Sequence, residues 1–188
     1  MSTVFVITHP EVVIDPAVPV PRWNLTPMGI ARMRAFAAEV GALAAVWASE
    51  ETKAIEGAGI LAARFGLPVG VHAGLGENDR SATGYLPRAE FQDVADAFFA
   101  APETSVRGWE RAVDAQARMA RAVDEVVERS PPGDVAIVAH GGVGTLLQCL
   151  YRGVPISRDH DQPFEGHVWT FERRSRRVLD GWRPIAPR

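Results

Sequence analysis

The stretch VFVITHP, Val4–Pro10, is apolar and largely β-branched as far as Ile7 and then stops on a threonine, a histidine and a proline. A continuous apolar run this short predicts a strand buried on both faces, as in a parallel sheet covered by helices. Pro10 ends it, having no N–H to give to a ladder. The pattern returns at VAIVA, Val135–Ala139, which ends on His140 and is followed by Gly141, Gly142 and an apolar helix from Val143 to Tyr151. Two strands of one sheet that each finish on a histidine would bring the imidazoles together if the strands are neighbours. In open α/β sheets, ligands bind beyond the carboxyl ends of the strands.

Working outward, strands and helices alternate. Pro16, Pro19 and Pro21 exclude a helix after the first strand and predict a stiff, extended excursion. Thr26 can cap a helix with Pro27 in its first position, and Ile30, Met33, Arg34, Phe36 and Ala37 keep helical spacing until Gly41. Leu43–Ala48 predicts a second strand. Ser49 then reads as an N-cap, with Glu50 and Glu51 complementing the dipole of a helix that runs to Gly66. Leu67–Val71 predicts a third strand, and GLGENDRSATGYL, 74–86, a long polar loop. Pro87–Ala100 and Ser105–Arg129 predict two helices, the second with Trp109, Val113, Met119, Ala120, Val123 and Val127 on one stripe. HVWTFE and RRVLDGW predict a closing pair of strands, after which the chain frays through two prolines. The alternation predicts an α/β fold, a three-layer sandwich whose mostly parallel central sheet is covered by helices on both faces.

At 188 residues, with 47% hydrophobic and 23% charged residues, the chain can bury one sizeable core, and a single domain over 1–188 is expected. A net charge of −3 without basic or acidic runs gives no electrostatic case for nucleic acid or a membrane surface. Cys149 is the only cysteine and lies in an apolar run, which suits a small buried residue in a reducing compartment. No apolar segment approaches the ~20 residues of a membrane span, and no signal-peptide pattern opens the chain, so a cytoplasmic location is expected.

A strand-end histidine is a nucleophile, general base or metal ligand in waiting, largely neutral at pH 7. Other candidates carry less. HGGVGT lacks the G-x-G-x-x-G spacing of a dinucleotide turn. SRDHDQP, Ser157–Pro163, clusters Asp159, His160 and Asp161, but adjacent loop residues seldom face one centre, so a solvated loop or pocket rim is expected rather than a metal site. His72 and His167 read as surface or hydrogen-bonded histidines, and Glu90 with Asp93 as a solvated helix face.

The strand ending on His9, the LTPMG helix start at Leu25–Gly29, WASEETKA after the second strand, the acid in LGEND, and VAHGGVGTLL together resemble the histidine phosphatase superfamily, which includes the cofactor-dependent phosphoglycerate mutases. The resemblance spans most of the chain. It implies a phosphoglycerate mutase-like fold, His9 as the nucleophile that becomes a phosphohistidine, and His140 as hydrogen-bond support for the transferring phosphoryl group. It also implies Glu77 as the acid that protonates the leaving oxygen and later deprotonates water, with the Gly141 N–H close to the phosphate. The physical requirement agrees: phosphoryl transfer needs positioning and charge stabilisation by several donors.

The departures are large. Where the family carries Arg-His-Gly, this chain has Thr8, His9 and Pro10, so one arginine fork is missing. Where the family has Ser-Ser followed by Arg-Ala, it reads Ser49-Glu50-Glu51-Thr52-Lys53-Ala54, and lysine keeps the charge but not the bidentate grip. Arg22, ahead of the first helix, and Arg80, in the polar loop, are the candidate replacements, and Thr8 offers a hydroxyl. By analogy with one lost oxyanion-hole donor, a missing fork costs ~2.7–4 kcal/mol of transition-state stabilisation. The expectation is a metal-independent phosphatase of a small phosphorylated substrate, needing no cofactor. The alternatives are a weak or inactive member that binds a phosphorylated ligand, and a mutase, for which few basic residues stand near Glu77.

Overall fold

The computed structural model describes residues 2–188. Six strands form one sheet: β1 (Thr3–Thr8), β2 (Ala45–Ala48), β3 (Val69–Val71), β4 (Val135–Ala139), β5 (His167–Glu172) and β6 (Val178–Pro184). Their order is β3-β2-β4-β1-β5-β6. The pairs β2–β3, β2–β4 and β1–β4 are parallel, and β5 and β6 extend the sheet antiparallel. Five helices flank it: α1 (Pro27–Glu39), α2 (Thr52–Phe65), α3 (Arg88–Ala100), α4 (Ala112–Arg129) and α5 (Gly141–Arg152).

The apolar runs follow from two-sided burial. On one face, Val4 and Val6 of β1 and Val135, Ile137 and Ala139 of β4 pack with buried residues of α3, α4 and α5. On the other, Ile7, Ala136 and Val138 pack with Met33 and Phe36 of α1 and Ala58 and Leu61 of α2. With no face left to solvent, neither strand shows polar alternation. These layers are the expected three-layer α/β sandwich. Cys149 is buried, as its setting predicted. No helix among the described residues is long and apolar enough to cross a membrane.

Four expectations change. Ser49 does not cap α2. The cap position is Glu51, whose side chain makes no capping bond, and Ser49 is drawn instead to His140. The helix expected from Ser105 begins at Ala112, because Arg107 (φ 52°) and Gly108 (φ 82°) are left-handed and break the chain into a short 3-10 turn. Trp109 is still buried, but from outside the helix, its indole donating to Thr83 Oγ1 at 2.9 Å. The proline-rich excursion contains one 3-10 turn, Val20–Arg22, instead of being extended throughout. The C-terminal segment does not fray, since Ile185 is buried, its N–H bonds Gly166 O, and buried Arg32 holds Ala186 O.

Candidate active site

The register places the two histidines. Thr8 pairs with Ala139 in the parallel β1–β4 ladder, so His9 and His140 are the next residues out at adjacent carboxyl ends. The His9 N–H bonds Ala139 O at 3.2 Å, and the ring centroids lie 5.3 Å apart, edge to face. His9 Nδ1 sits 2.9 Å from Pro10 O. A carbonyl can only accept, so Nδ1 carries the proton and Nε2 keeps its lone pair. Burial, then the fields of His140 and Lys53, lower the His9 pKa to about 3, and the ring is neutral at physiological pH.

His140 is fully buried, and its surroundings come from the start of α2. Its Nε2 is 2.7 Å from Ser49 Oγ and 3.2 Å from Glu51 Oε1. Burial lowers its pKa to about 4, against the pull of Glu51 and with the repulsion of Lys53, Arg80 and Arg118. The other Glu51 oxygen is paired with Lys53 Nζ, which also donates to Val20 O at 2.9 Å, and Glu51 Oε1 accepts the Glu77 N–H at 3.2 Å. Burial opposes the Glu51 charge, but its cationic neighbours and this N–H outweigh it and hold the carboxyl well below the usual range.

Glu77 reaches the site from the polar loop. Its carboxylate accepts N–H groups of Gly142 (3.2 Å) and Val143 (3.0 Å) in the first turn of α5, together with Asn78 N–H (3.2 Å). Only glycine at 142 permits this approach, since a Cβ there would stand 2.7 Å from Glu77 Oε1. Arg118 of α4 braces the loop by donating to the carbonyls of Gly74, Gly76 and Glu77. Beyond Glu77 lies a recess lined by Asn78, Arg80, Phe91, Trp109, Arg158 and Asp161. Buried Asn78 Nδ2 has no hydrogen-bond partner there among the described residues.

The expected set is therefore gathered only in part. His9, His140, Lys53 and Glu77 meet at one end of the sheet. Arg80 lies over the rings of Phe91 and Trp109, with Nη2 3.8 Å from Glu77 Oε2, so it flanks the acid. Gly141 opens α5 beside the histidines, and a Cβ on it would stand 2.5 Å from Gln162 Nε2. Thr8 is a correction: it is 1% exposed, its hydroxyl donates to Gln162 Oε1 at 2.7 Å, and it accepts the N–H groups of Gly166 and His167. That proton is committed inside the fold and is not free for a ligand. Arg22 is exposed, and it is the carbonyl of its neighbour Val20 that meets Lys53.

Glu51 and Gln162 were missed by the sequence. Glu51 looked like helix-dipole decoration, and no local signal distinguishes it from Glu50. Gln162 lies in the SRDHDQP segment, where a pocket rim was one expectation. The neighbouring acid Asp161 turns to Thr145 Oγ1 at 2.8 Å and does not converge with Asp159 and His160. Among the described residues, no group of three or more His, Cys, Asp or Glu side chains is arranged to hold a metal.

Three groups at this site have lowered pKa values, and they push stability in one direction. Between the ordinary histidine value near 6.5 and the lowered values, the unfolded chain binds protons at His9 and His140 that the folded chain refuses. Below the ordinary carboxylate value, Glu51 does the same. Stability therefore falls as pH falls. The expected result is a melting temperature that is level above pH 7 and declines steadily from pH 6.5 to 4; a flat profile across that interval in thermal melts would contradict the buried, neutral histidines.

Comparison with known proteins gives the family and the fold. The model of the histidine phosphatase superfamily (branch 1) matches residues 20–176. Among solved structures, YhfR of Bacillus stearothermophilus is similar with a TM-score of 0.82 at 23% identity, covering 100% of this chain and 98% of that one. Mycobacterial glucosyl-3-phosphoglycerate phosphatase, in complex with VO3, gives 0.79 at 22% identity, covering 98% and 100%. The alpha-ribazole phosphatase of Shigella flexneri gives 0.68 at 17% identity, covering 98% and 97%. At these identities the likeness is one of fold. A search of curated proteins by sequence gave no match.

Proposed function

The chain belongs to the histidine phosphatase superfamily, branch 1, and from that footing we propose that it hydrolyses a small phosphomonoester through a phosphohistidine at His9. The observation that carries the proposal is the bond from His9 Nδ1–H to Pro10 O, which leaves a neutral ring with its Nε2 lone pair available beside His140. In the first step, Nε2 attacks phosphorus, a P–N bond forms, and the ester P–O bond breaks. Glu77 gives its proton to the departing oxygen. In the second step, Glu77 takes a proton from water, the new oxygen attacks phosphorus, and the P–N bond breaks to release orthophosphate. His140, Lys53 and the Gly141 N–H at the start of α5 steady the phosphoryl charge. The phosphatase neighbours support this reaction class.

A second reading, a binder of phosphorylated ligands without turnover, is favoured by the commitment of Thr8 to Gln162 and of Lys53 to Glu51. One experiment separates the two. The protein is incubated with p-nitrophenyl phosphate, with and without EDTA, and quenched samples are searched for an acid-labile, base-stable phosphoenzyme. Turnover that survives EDTA and a trapped phosphohistidine are expected. Calorimetric binding of vanadate, with neither turnover nor phosphoenzyme over a broad substrate panel, would leave only the binder.

A further inference from the structure

Glu51 is placed where a ligand's charge would go. Two donors meet its carboxylate, Lys53 Nζ at Oε2 and the Glu77 N–H (3.2 Å) at Oε1, and His140 Nε2, hydrogen-bonded to Ser49 Oγ, stands 3.2 Å from the same Oε1. Lysine at the head of a helix and a loop N–H aimed at one acceptor, with an imidazole beside it, make an anion-binding set of the kind a phosphoryl oxygen would use. Both Lys53 and Glu51 act on the charge state of His9, so the set lies within electrostatic reach of the nucleophile. It is also enclosed: the Lys53 side chain is 4% exposed and that of Glu51 14%.

We infer that Glu51 is a resident counter-anion of the phosphate site, holding the donors of Lys53 and the Glu77 N–H beside His140 until a phosphoryl group displaces it, and thereby setting how tightly the protein takes an anion. This rests on the reading of the pocket as a phosphate site. With Thr8 turned inward, Lys53 is the cation of the expected motif positions, and its charge is cancelled by an acid two residues away. Displacement is physically accessible because Glu51 stands at the N-cap position of α2 without making a capping bond, so its side chain can swing away without unravelling the helix.

The test is calorimetric titration of orthovanadate and of inorganic phosphate into the parent protein, Glu51→Gln, and the double variant Glu51→Gln with Lys53→Met. Glutamine keeps the size of the side chain and removes the competing charge. Glu51→Gln is expected to bind either anion about tenfold more tightly or better, and the double variant to lose that gain. Should Glu51→Gln fail to fold, Glu51→Thr, a residue favoured at N-caps, carries the same expectation. Equal or weaker anion binding in the folded variant overturns the inference, because Glu51 would then serve to position Lys53 or His140. The outcomes separate from those of the proposed reaction. Tighter binding in a protein that turns nothing over removes the catalysis and keeps the counter-anion. Turnover by the parent with no gain in the variant does the reverse. Absence of anion binding in every variant removes both.

Discussion

His9→Ala abolishes turnover, with an expected fall in kcat on the order of a thousandfold or more, the scale on which enzymes lose rate when a covalent nucleophile is deleted. The phosphoenzyme band disappears with it. The reason is geometric: the neighbouring imidazole cannot take over, because His140 Nε2 is engaged by Ser49 and Glu51. Folding should survive, since His9 lies beyond the end of β1, outside the apolar ladder that pairs Val4–Thr8 with Val135–Ala139. The measurement is steady-state hydrolysis of p-nitrophenyl phosphate, with a thermal melt as the control. Retention of even a tenth of the rate by a folded His9→Ala protein sinks the nucleophile assignment.

Glu77→Gln lowers kcat by about 10²–10⁴-fold on a substrate with a poor leaving group, the usual range for a lost general acid. The glutamine carbonyl oxygen can still accept from the first turn of α5, where Glu77 meets Gly142 and Val143 N–H, so the loop keeps an anchor. Chemistry then separates the two roles of this residue. A nitrophenolate departs without a proton, whereas an alkoxide needs one. The loss should therefore be much larger for an alkyl phosphate than for p-nitrophenyl phosphate. An equal loss on both substrates would mean that Glu77 matters here only as the clamp between loop and helix.

Much of this site was legible before any coordinates. VFVITHP and VAIVAH look alike because both strands are buried on two faces and end at the same edge of the sheet, and a period-free apolar run is the direct mark of that burial. Thr26 and Pro27 announced α1 because capping is local chemistry, and Thr26 Oγ1 does accept from Gly29 N–H at 3.0 Å. Ser49 failed for the opposite reason. It satisfies the local rule for a cap, but His140, 91 residues further on, offers its hydroxyl a shorter bond at 2.7 Å than the Glu51 N–H at 3.3 Å. Trp109 failed in the same way: its place on a helical stripe was a valid pattern, but two left-handed residues just before it delay the helix to Ala112.

What the sequence by itself determined is the part set by neighbours along the chain: the strands and helices, their order, the α/β layering, and the two histidines presented at strand ends. The tertiary structure decided which donors and acceptors meet. Thr8 is turned inward, where its hydroxyl accepts the His167 N–H and donates to Gln162, both far along the chain, and the Glu51 that pairs with Lys53 also meets the Glu77 N–H and stands beside His140. Hydrogen bonds and ion pairs form between groups within a few ångströms, whatever their separation in sequence. The charge of the pocket around His9 was therefore settled only when β1, β4, the start of α2 and the Glu77 loop came together at one end of the sheet.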